Sequence, residues 1–563
     1  AVEIIKGSAS ALHGSSALGG VVNLISRRSG EEAEHSMVLN QTTRGGTDAV
    51  YFGAAPLSER WGATLLTGVH RQQRNDLDGD RWTDMPGYER LVVRPRFHHD
   101  GGNGRSGFLT GGFTAENRRG GTLPGGTVPG GGGYDERLGT RRADAGGLAR
   151  WLQPGGSIVT IRGSAMEQRH AHLFGVTPED DRHRTMFAEA STALPRRVFD
   201  RPVTYIAGAA VQHDSYRTEQ LAAFGYRHTV PALFAQLDAD PSHRVALSAS
   251  VRADAHSEFG TSVNPRVSVL LRASEGNGLD EWTMRLSAGT ATFAPTPFTE
   301  ETETTGLTPL LPLTNLRAER ARSVSIDIGG PLAVPGGTLE FNATGFASRV
   351  LHPVQAVSAG AGVGVGVGVA APGGVERIAL VNAPSPTNTI GAELLARLVR
   401  ELGEDGPDGE EPPALRITAS YTHLRSTECI PSPATTAAPA ACGRRDVPLT
   451  PRHAVGMVAA VEHEETGRIG LELYYTGRQS LEDNPYRAES VPYLLAGVLA
   501  ERVLPAWARG TRAFINFENI TNVRQTRHDP LLLPRRGLGG RWTTDAWTEL
   551  VGITVNGGVR LSF

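Results

Sequence analysis

The chain consists largely of short runs in which apolar and polar residues alternate. In the final stretch, ITVNGGVRLSF, every second residue from Ile553 to Phe563 is apolar or glycine, and most of the residues between them are polar. A period of two places successive side chains on opposite faces of an extended backbone. The pattern therefore predicts a β-strand with one apolar face.

Pairs of such runs flank short turns. In HAVGMVAAVEHEETGRIGLELYYTG, which starts at His453, the segment HEETG separates two alternating runs. The residues that share the apolar face are Val455, Met457, Ala459, Val461, Ile469, Leu471, Leu473 and Tyr475. Two runs joined in this way predict an antiparallel hairpin.

The same plan recurs along the chain, with short turns rich in glycine, proline, aspartate and asparagine alternating with longer polar segments. Short turns at one end and long loops at the other are typical of transmembrane β-barrels. At about 24 residues per strand and connection, residues 36–563 predict about 22 strands. We therefore expect an all-β fold, a large antiparallel transmembrane β-barrel. A soluble array of β-sandwiches or a β-helix would need linkers or a fixed repeat period, and neither is visible.

Composition favours the same class. The 69 glycines and 35 prolines are too many for a helical protein, and a hydrophobic fraction of 39% is too high for a disordered one. The chain contains no run of about 18 apolar residues, which is the length that would predict a membrane-spanning helix. The formal net charge of −3 gives no basic surface for nucleic acid, so we expect no nucleic-acid partner.

The stretch VEIIKGSASALHGSSALGGVVNLISRR resembles the end of the plug domain of TonB-dependent outer-membrane receptors. The corresponding residues are Val2, Glu3, Lys6, Gly7, Ala11, Leu12, Gly14, Ala17, Gly19, Gly20, Val21, Asn23 and Ile25. The glycines are explained by close backbone packing between two strands. We therefore assign residues 1–35 to a C-terminal remnant of the plug domain in the barrel lumen, and residues 36–563 to the barrel. By the same resemblance, the chain is expected to be an N-terminally truncated fragment.

Three later stretches extend the resemblance to the other end of the chain. Their corresponding residues are Phe293, Ala294, Pro295, Asn315, Leu316, Glu319, Ser323 and Gly329, then Asn516, Asn519, Ile520 and Asn522, and finally Phe563. Arg317 and Ala318 depart from the usual Lys-Pro of the family pattern. The aromatic fraction of 6% is also low for a barrel with two interfacial aromatic girdles.

The resemblance implies a receptor of the cell outer membrane that imports a scarce nutrient such as a ferric siderophore. External loops and the plug would bind a small-molecule or chelate ligand, and in a full-length form the TonB complex of the inner membrane would supply the energy. Outer-membrane lipid would surround the barrel. The alternative is a passive porin-like channel or a non-transporting surface barrel. The residues do not identify the ligand.

A glycine-rich segment that is basic at both ends contains the candidate ligand-facing residues. Arg118, Arg119, Arg141 and Arg142 are placed in a long loop by this interpretation. Guanidinium groups bind anionic chelates through paired, charge-assisted hydrogen bonds. The ordinary alternative is that these arginines balance carboxylates in the lumen.

No catalytic residue, metal site or cofactor is predicted. The histidines that invite a metal interpretation are His98, His99, His170, His172 and His183. No cysteine or carboxylate recurs beside them at ligand spacing. No Ser/His/Asp or Cys/His arrangement has a recognisable local pattern either, so we expect that the protein is not an enzyme.

The two cysteines of the chain, Cys429 and Cys442, lie in a segment rich in proline, alanine and threonine. In an oxidising compartment they would form a disulfide across a small loop. Two unpaired thiols are the alternative. The predicted pairing depends on the cell-surface location that the resemblance implies.

Overall fold

The computed structural model describes residues 2–5, 14, 20–273, 281–299, 302, 306–359, 377–404, 411–430, 443–482, 484–504, 510–536 and 541–563. Within them the chain forms β-strands and two short 3-10 helices, Ala222–Phe224 and Gln525–Arg527. None of the described helices is long and apolar enough to span a membrane.

The described strands are numbered in chain order. The first fourteen are β1 Val2–Ile5, β2 Val21–Leu24, β3 Glu34–Thr42, β4 Gly46–Ser58, β5 Trp61–Gln72, β6 Gly87–Asp100, β7 Arg105–Gly121, β8 Asp135–Leu152, β9 Ile158–Phe174, β10 Thr177–Val198, β11 Arg201–Thr218, β12 Tyr226–Ser242, β13 Val245–His256 and β14 Gly260–Arg272. The others are β15 Thr283–Phe293, β16 Glu319–Val334, β17 Gly337–Leu351, β18 Val354–Ala359, β19 Arg377–Asn382, β20 Thr387–Glu401, β21 Ala414–Ile430, β22 Gly443–Asp446, β23 His453–His463, β24 Gly467–Thr476, β25 Tyr493–Val503, β26 Arg512–Glu518 and β27 Thr554–Ser562.

A closed antiparallel barrel accounts for most of these strands. Among the described residues its wall has 22 strands, β3 to β17, β20, β21 and β23 to β27, and the short β22 pairs only with one end of β21. The barrel closes where β27 pairs with β3. There the backbones of His35 and Phe563 exchange hydrogen bonds of 3.2 and 3.0 Å, and the two rings stack with centroids 5.6 Å apart. The predicted all-β barrel and its strand number are confirmed.

The register also confirms the hairpin predicted from alternation. On β23 and β24, Val461 lies opposite Ile469, and Met457 lies opposite Leu473, so the apolar residues of both strands share one face. Apolar side chains such as Ile469 remain exposed on the outer face of the barrel. The lumen face carries charged residues instead, among them Glu501, which is buried on β25. This polarity is the reverse of a water-soluble barrel and suits a wall surrounded by lipid.

The connections differ between the two ends of the barrel. We call one end the loop end, because it carries the longest connections, 73–86, 122–134, 294–318, 352–386, 477–492 and 519–553. The opposite end is the turn end, where the shortest turns are 59–60, 199–200, 243–244 and 335–336. Glu34 and Ser562, at the ends of β3 and β27, also lie at the turn end.

Two small hairpins are not part of the barrel wall. β1 pairs with β2, and the Asn23 side chain donates a 2.9 Å hydrogen bond to Glu3. The segment that follows reaches the wall at the turn end, where Arg27 and Glu34 form a 2.7 Å salt bridge. The second hairpin, β18 with β19, belongs to the connection 352–386 at the loop end.

The assignment of the two faces can be tested on β12 and β13. Val251 is 42% exposed on the outer face and pairs with Ala235, whose neighbour Gln236 faces the lumen. A charged side chain at the middle of a lipid-facing strand costs about 2–4 kcal/mol. We expect Val251→Arg to lower the free energy of unfolding by that amount in lipid vesicles, as measured by urea titration with tryptophan fluorescence. The control Gln236→Arg should change it by less than about 1 kcal/mol. Equal losses would contradict the assignment.

Candidate functional site

Loops of the loop end pack into two apolar clusters. The first cluster contains Tyr216, Phe224, Leu307, Leu310, Ile378 and Leu380. It joins the connections 219–225 and 294–318 to the hairpin of β18 and β19. The second cluster contains Trp82, Val128, Leu532 and Trp542, with Tyr134 packed against it. It joins the connections 73–86, 122–134 and 519–553. The loops in these clusters therefore pack against one another, and we call them the loop layer.

A single buried carboxylate fastens two of these loops to the wall. Glu179 lies near the loop end of β10 and is only 8% exposed. It accepts hydrogen bonds from the amides of Leu307 and Thr308, at 2.7 and 3.0 Å, and from the Thr308 hydroxyl at 2.5 Å. It also forms a salt bridge with Arg541. These contacts connect residues 128 and 362 positions apart in sequence.

Arg541 is held from two sides. Its guanidinium carbon lies 3.6 Å from the centroid of the Phe174 ring, within cation–π range, while Glu179 binds its terminal nitrogen. Burial lowers the pKa of Arg541, and the charge of Glu179 acts in the opposite direction. Burial also raises the pKa of the nearby Tyr134 hydroxyl to about 12.

A cavity of about 1000 Å³ opens between the two clusters. Its cationic lining residues are Arg74, Arg137, Arg377, Arg536 and Arg541. The carboxylate that lines it is Asp135, which is in salt-bridge contact with Arg137. Within the described residues, Arg74 and Arg377 form no salt bridge, and Arg377 donates to the backbone oxygen of Leu310 at 3.2 Å. The cavity is therefore a basic site with space for an anionic ligand.

Comparisons with known proteins agree with this architecture. A family model described as TonB dependent receptor-like, beta-barrel, matches residues 36–520. The chain belongs to the TonB-dependent receptor family. No curated protein matches the sequence. Solved structures of receptors share the fold at low sequence identity, which shows the fold alone.

Three of these structures illustrate the likeness. The siderophore receptor PirA from Pseudomonas aeruginosa is 14% identical, with a TM-score of 0.69. A mutant of the ferric enterobactin receptor PfeA from Pseudomonas aeruginosa, in complex with enterobactin, is 13% identical, with a TM-score of 0.73. The ferric-catecholate import receptor Fiu from Escherichia coli K12 is 11% identical, with a TM-score of 0.68. Each match covers 100% of this chain and 86% of the other.

The four arginines predicted to face a ligand lie in the strands of this receptor, not in the loop between them. Arg118 and Arg119 belong to β7, and Arg141 and Arg142 belong to β8. The loop placement was wrong because both strands extend well beyond the apolar part of the wall. The arginines and glycines at these strand ends are typical of loops in the sequence. Their backbones nevertheless pair with the neighbouring strand in the sheet.

The two faces of β7 and β8 separate these arginines. Arg118 faces the lumen and binds Glu116 at 3.0 Å, and Arg142 binds Asp144 at 3.3 Å. Both therefore balance lumen carboxylates. Alternation places Arg119 and Arg141 on the outer face. A role of the four in ligand binding stays a prediction.

The other predicted site residues are only partly within the described chain. Of the plug motif, Glu3, Gly14, Gly20 and Asn23 are described, with Gly14 and Gly20 at φ values of 90° and 106° that favour glycine. Lys6, Gly7 and Gly19 lie outside the described residues. Their function as a plug motif stays a prediction.

Only one of the two cysteines of the predicted disulfide lies within the described residues. Cys429 is buried near the loop end of β21, and none of the described cysteines is free. Cys442 lies outside the described residues, so its pairing with Cys429 stays a prediction.

The arginines that line the cavity carry no local sequence signal. They come from four separate segments of the chain, one of which, LPRRGLGGR, supplies both Arg536 and Arg541. Glu179 is equally inconspicuous, since it lies in a polar run at the end of a strand. Only the packing of the loops brings these residues together.

The function of Glu179 can be tested by removing its carboxylate. Glu179→Ala leaves a buried guanidinium and two amides without their acceptor, and breaking a buried pair in this way costs about 3–5 kcal/mol. We expect faster amide exchange at Leu307 and Thr308 by hydrogen–deuterium mass spectrometry, and earlier proteolysis within residues 294–318. The control Asp180→Ala removes the exposed neighbouring carboxylate and should change neither. Identical exchange in both variants would contradict this role.

Proposed function

We propose that this receptor imports an anionic ferric chelate of the siderophore class across the outer membrane. The observation that carries the proposal is the arginine-lined cavity of about 1000 Å³ at the loop end of a TonB-dependent receptor barrel. Cavities of about 300–1,000 Å³ are typical of sites that enclose a small molecule. Catecholate and carboxylate chelates of ferric iron are anionic, and their oxygens match the donors that guanidinium groups present.

The arrangement of charges supports a ligand with several acceptor oxygens. Arg541 is fixed by Glu179 and Phe174, so it presents a preformed donor at one side of the cavity. Arg74 and Arg377 approach from other loops, and neither is neutralised by a carboxylate among the described residues. A rigid cation beside two unneutralised ones favours binding with little loss of side-chain entropy. Tyr134 adds a hydroxyl donor to the same lining.

Structural neighbours lend support to this ligand class. PirA is a siderophore receptor, PfeA is a ferric enterobactin receptor crystallised with enterobactin, and Fiu is a ferric-catecholate import receptor. The ligand class rests on the cavity and is consistent with these neighbours.

The import mechanism follows from the family. We assign the hairpin of β1 and β2 to the end of a plug domain in the lumen. The contact between Ser26, which follows this hairpin, and Arg96 on the lumen face of β6 supports that assignment. The turn end faces the periplasm, and the loop end faces the exterior. Energy from the TonB complex of the inner membrane would move the plug, and the chelate bound at the loop end would pass through the lumen.

Removal of two cavity cations tests the proposed ligand class. We expect the double variant Arg74→Ala/Arg377→Ala to raise the Kd for a ferric catecholate at least about tenfold per arginine, since each charge-assisted hydrogen bond contributes about 1.5–3 kcal/mol. Isothermal titration calorimetry in detergent measures this effect. A shift in gel mobility on heating checks that the barrel is folded.

The matched control is Arg60→Ala/Arg201→Ala, which removes the same charge from two exposed positions at the turn end. It should leave the Kd unchanged. An unchanged Kd in the cavity variant, or an equal loss in both variants, would contradict binding at the loop-end cavity. A neutral ferric hydroxamate serves as a second probe and should lose less affinity than the catecholate.

A further inference from the structure

The connection 73–86 folds three aspartates around one point. In the sequence NDLDGDRWTDM, Asp76, Asp78 and Asp84 each place one carboxylate oxygen within 4.8 Å of the others. The backbone is wrapped tightly here. Asp76 accepts hydrogen bonds from the amides of Gly79 and Arg81, at 2.7 and 2.9 Å, and a bridge between Asn75 and Met85 closes the base of the loop.

Of these three aspartates, Asp84 has a buried carboxylate oxygen without a hydrogen-bond partner among the described residues. It is 8% exposed, and its Oδ2 accepts the Leu77 amide at 2.7 Å. Its Oδ1 is buried and has no hydrogen-bond partner within the described part of the chain. None of the three aspartates forms a salt bridge among the described residues. Burial of an uncompensated carboxylate is strongly unfavourable.

The electrostatics of the loop indicate the same deficit. A fourth carboxylate, Asp80, lies in the same loop, and its Oδ1 accepts the Trp82 amide. Four carboxylates thus lie in one short loop that supplies no cationic side chain to them.

We propose that Asp76, Asp78 and Asp84 bind a calcium ion in the connection 73–86. Calcium takes six to eight oxygen ligands at about 2.3–2.6 Å, so two ligands of one ion lie at most about 4.6–5.2 Å apart. The spacing of the three carboxylate oxygens satisfies this limit. Carboxylates without histidine or cysteine favour a hard cation over zinc or copper. A bound cation would compensate the buried Asp84 carboxylate, whose Oδ1 has no hydrogen-bond partner among the described residues.

The site lies where it can order the loop layer. Trp82, between Asp80 and Asp84, is 4% exposed and belongs to the second apolar cluster. The amide of Thr83 donates to Gly121 at 2.9 Å, and the amide of Leu123 donates to Arg81 at 2.8 Å. Leu123 also lines the arginine cavity. Calcium bound in the connection 73–86 therefore fixes one wall of that cavity, whatever ligand enters it.

Calcium titration of the full chain in detergent, after removal of metal with EDTA, tests the site without any chelate ligand. We expect saturable binding with a Kd on the order of 10⁻⁶ to 10⁻³ M. Terbium should replace calcium and show luminescence sensitised by Trp82. In Asp78→Asn/Asp84→Asn, the affinity should fall at least tenfold and the terbium signal should be lost. The control Asp100→Asn, at the turn end, should behave as the parent chain.

Thermal unfolding distinguishes a metal site from a structural role of the aspartates. Because substitution by asparagine relieves the repulsion, the double variant without calcium should melt no lower than the parent chain. The parent should gain stability on addition of calcium, and the variant should not. The proposal would be overturned by an absence of saturable calcium binding to the parent, or by calcium binding and stabilisation that persist in the variant. These outcomes do not depend on siderophore binding.

Discussion

The satisfaction of backbone hydrogen bonds is the constraint on which the rest of this structure depends. In lipid, an unpaired amide or carbonyl costs several kcal/mol, so every strand of a spanning sheet needs two neighbours. The pairing of β27 with β3 supplies the last of these and leaves the wall without an edge. Once the wall is closed, its outer face is committed to apolar side chains, and polar residues can be placed only in the lumen or beyond the ends of the strands.

The charges of the protein follow from that separation. In the lumen, carboxylates are matched by arginines on neighbouring strands; Glu501, for example, lies within 4 Å of Arg512, Arg468 and Arg560. At the loop end, some arginines and some aspartates lack a partner of opposite charge among the described residues. The cavity has an excess of arginine, and the connection 73–86 has an excess of aspartate. An imbalance of this kind in a folded layer points to missing counter-charges, an anionic ligand in the first case and a cation in the second.

The wall was predictable from sequence, and the site was not. Alternation depends on local geometry, so the apolar pairs of β23 and β24 could be assigned before their register was known. The glycine-rich residues 122–134 do form a connection, but the arginines that flank them lie in strands. Polarity alone cannot distinguish a loop from a strand that continues beyond the lipid. Glu179 and Arg541 meet across 362 positions, a contact that no local pattern encodes. The aspartate run is visible in sequence, whereas the unpaired oxygen of Asp84 appears only in the fold.

The proposed activity, in which the loop-end arginines receive a ferric chelate for energised import, is tested most directly by uptake. A ferric catecholate labelled with radioactive iron is supplied to iron-starved cells that express the natural gene, with and without TonB. We expect accumulation in cells with TonB, background uptake in cells without it, and strongly reduced uptake when Arg74 and Arg377 are replaced by alanine. Equal accumulation with and without TonB would contradict energised import and would indicate a passive channel.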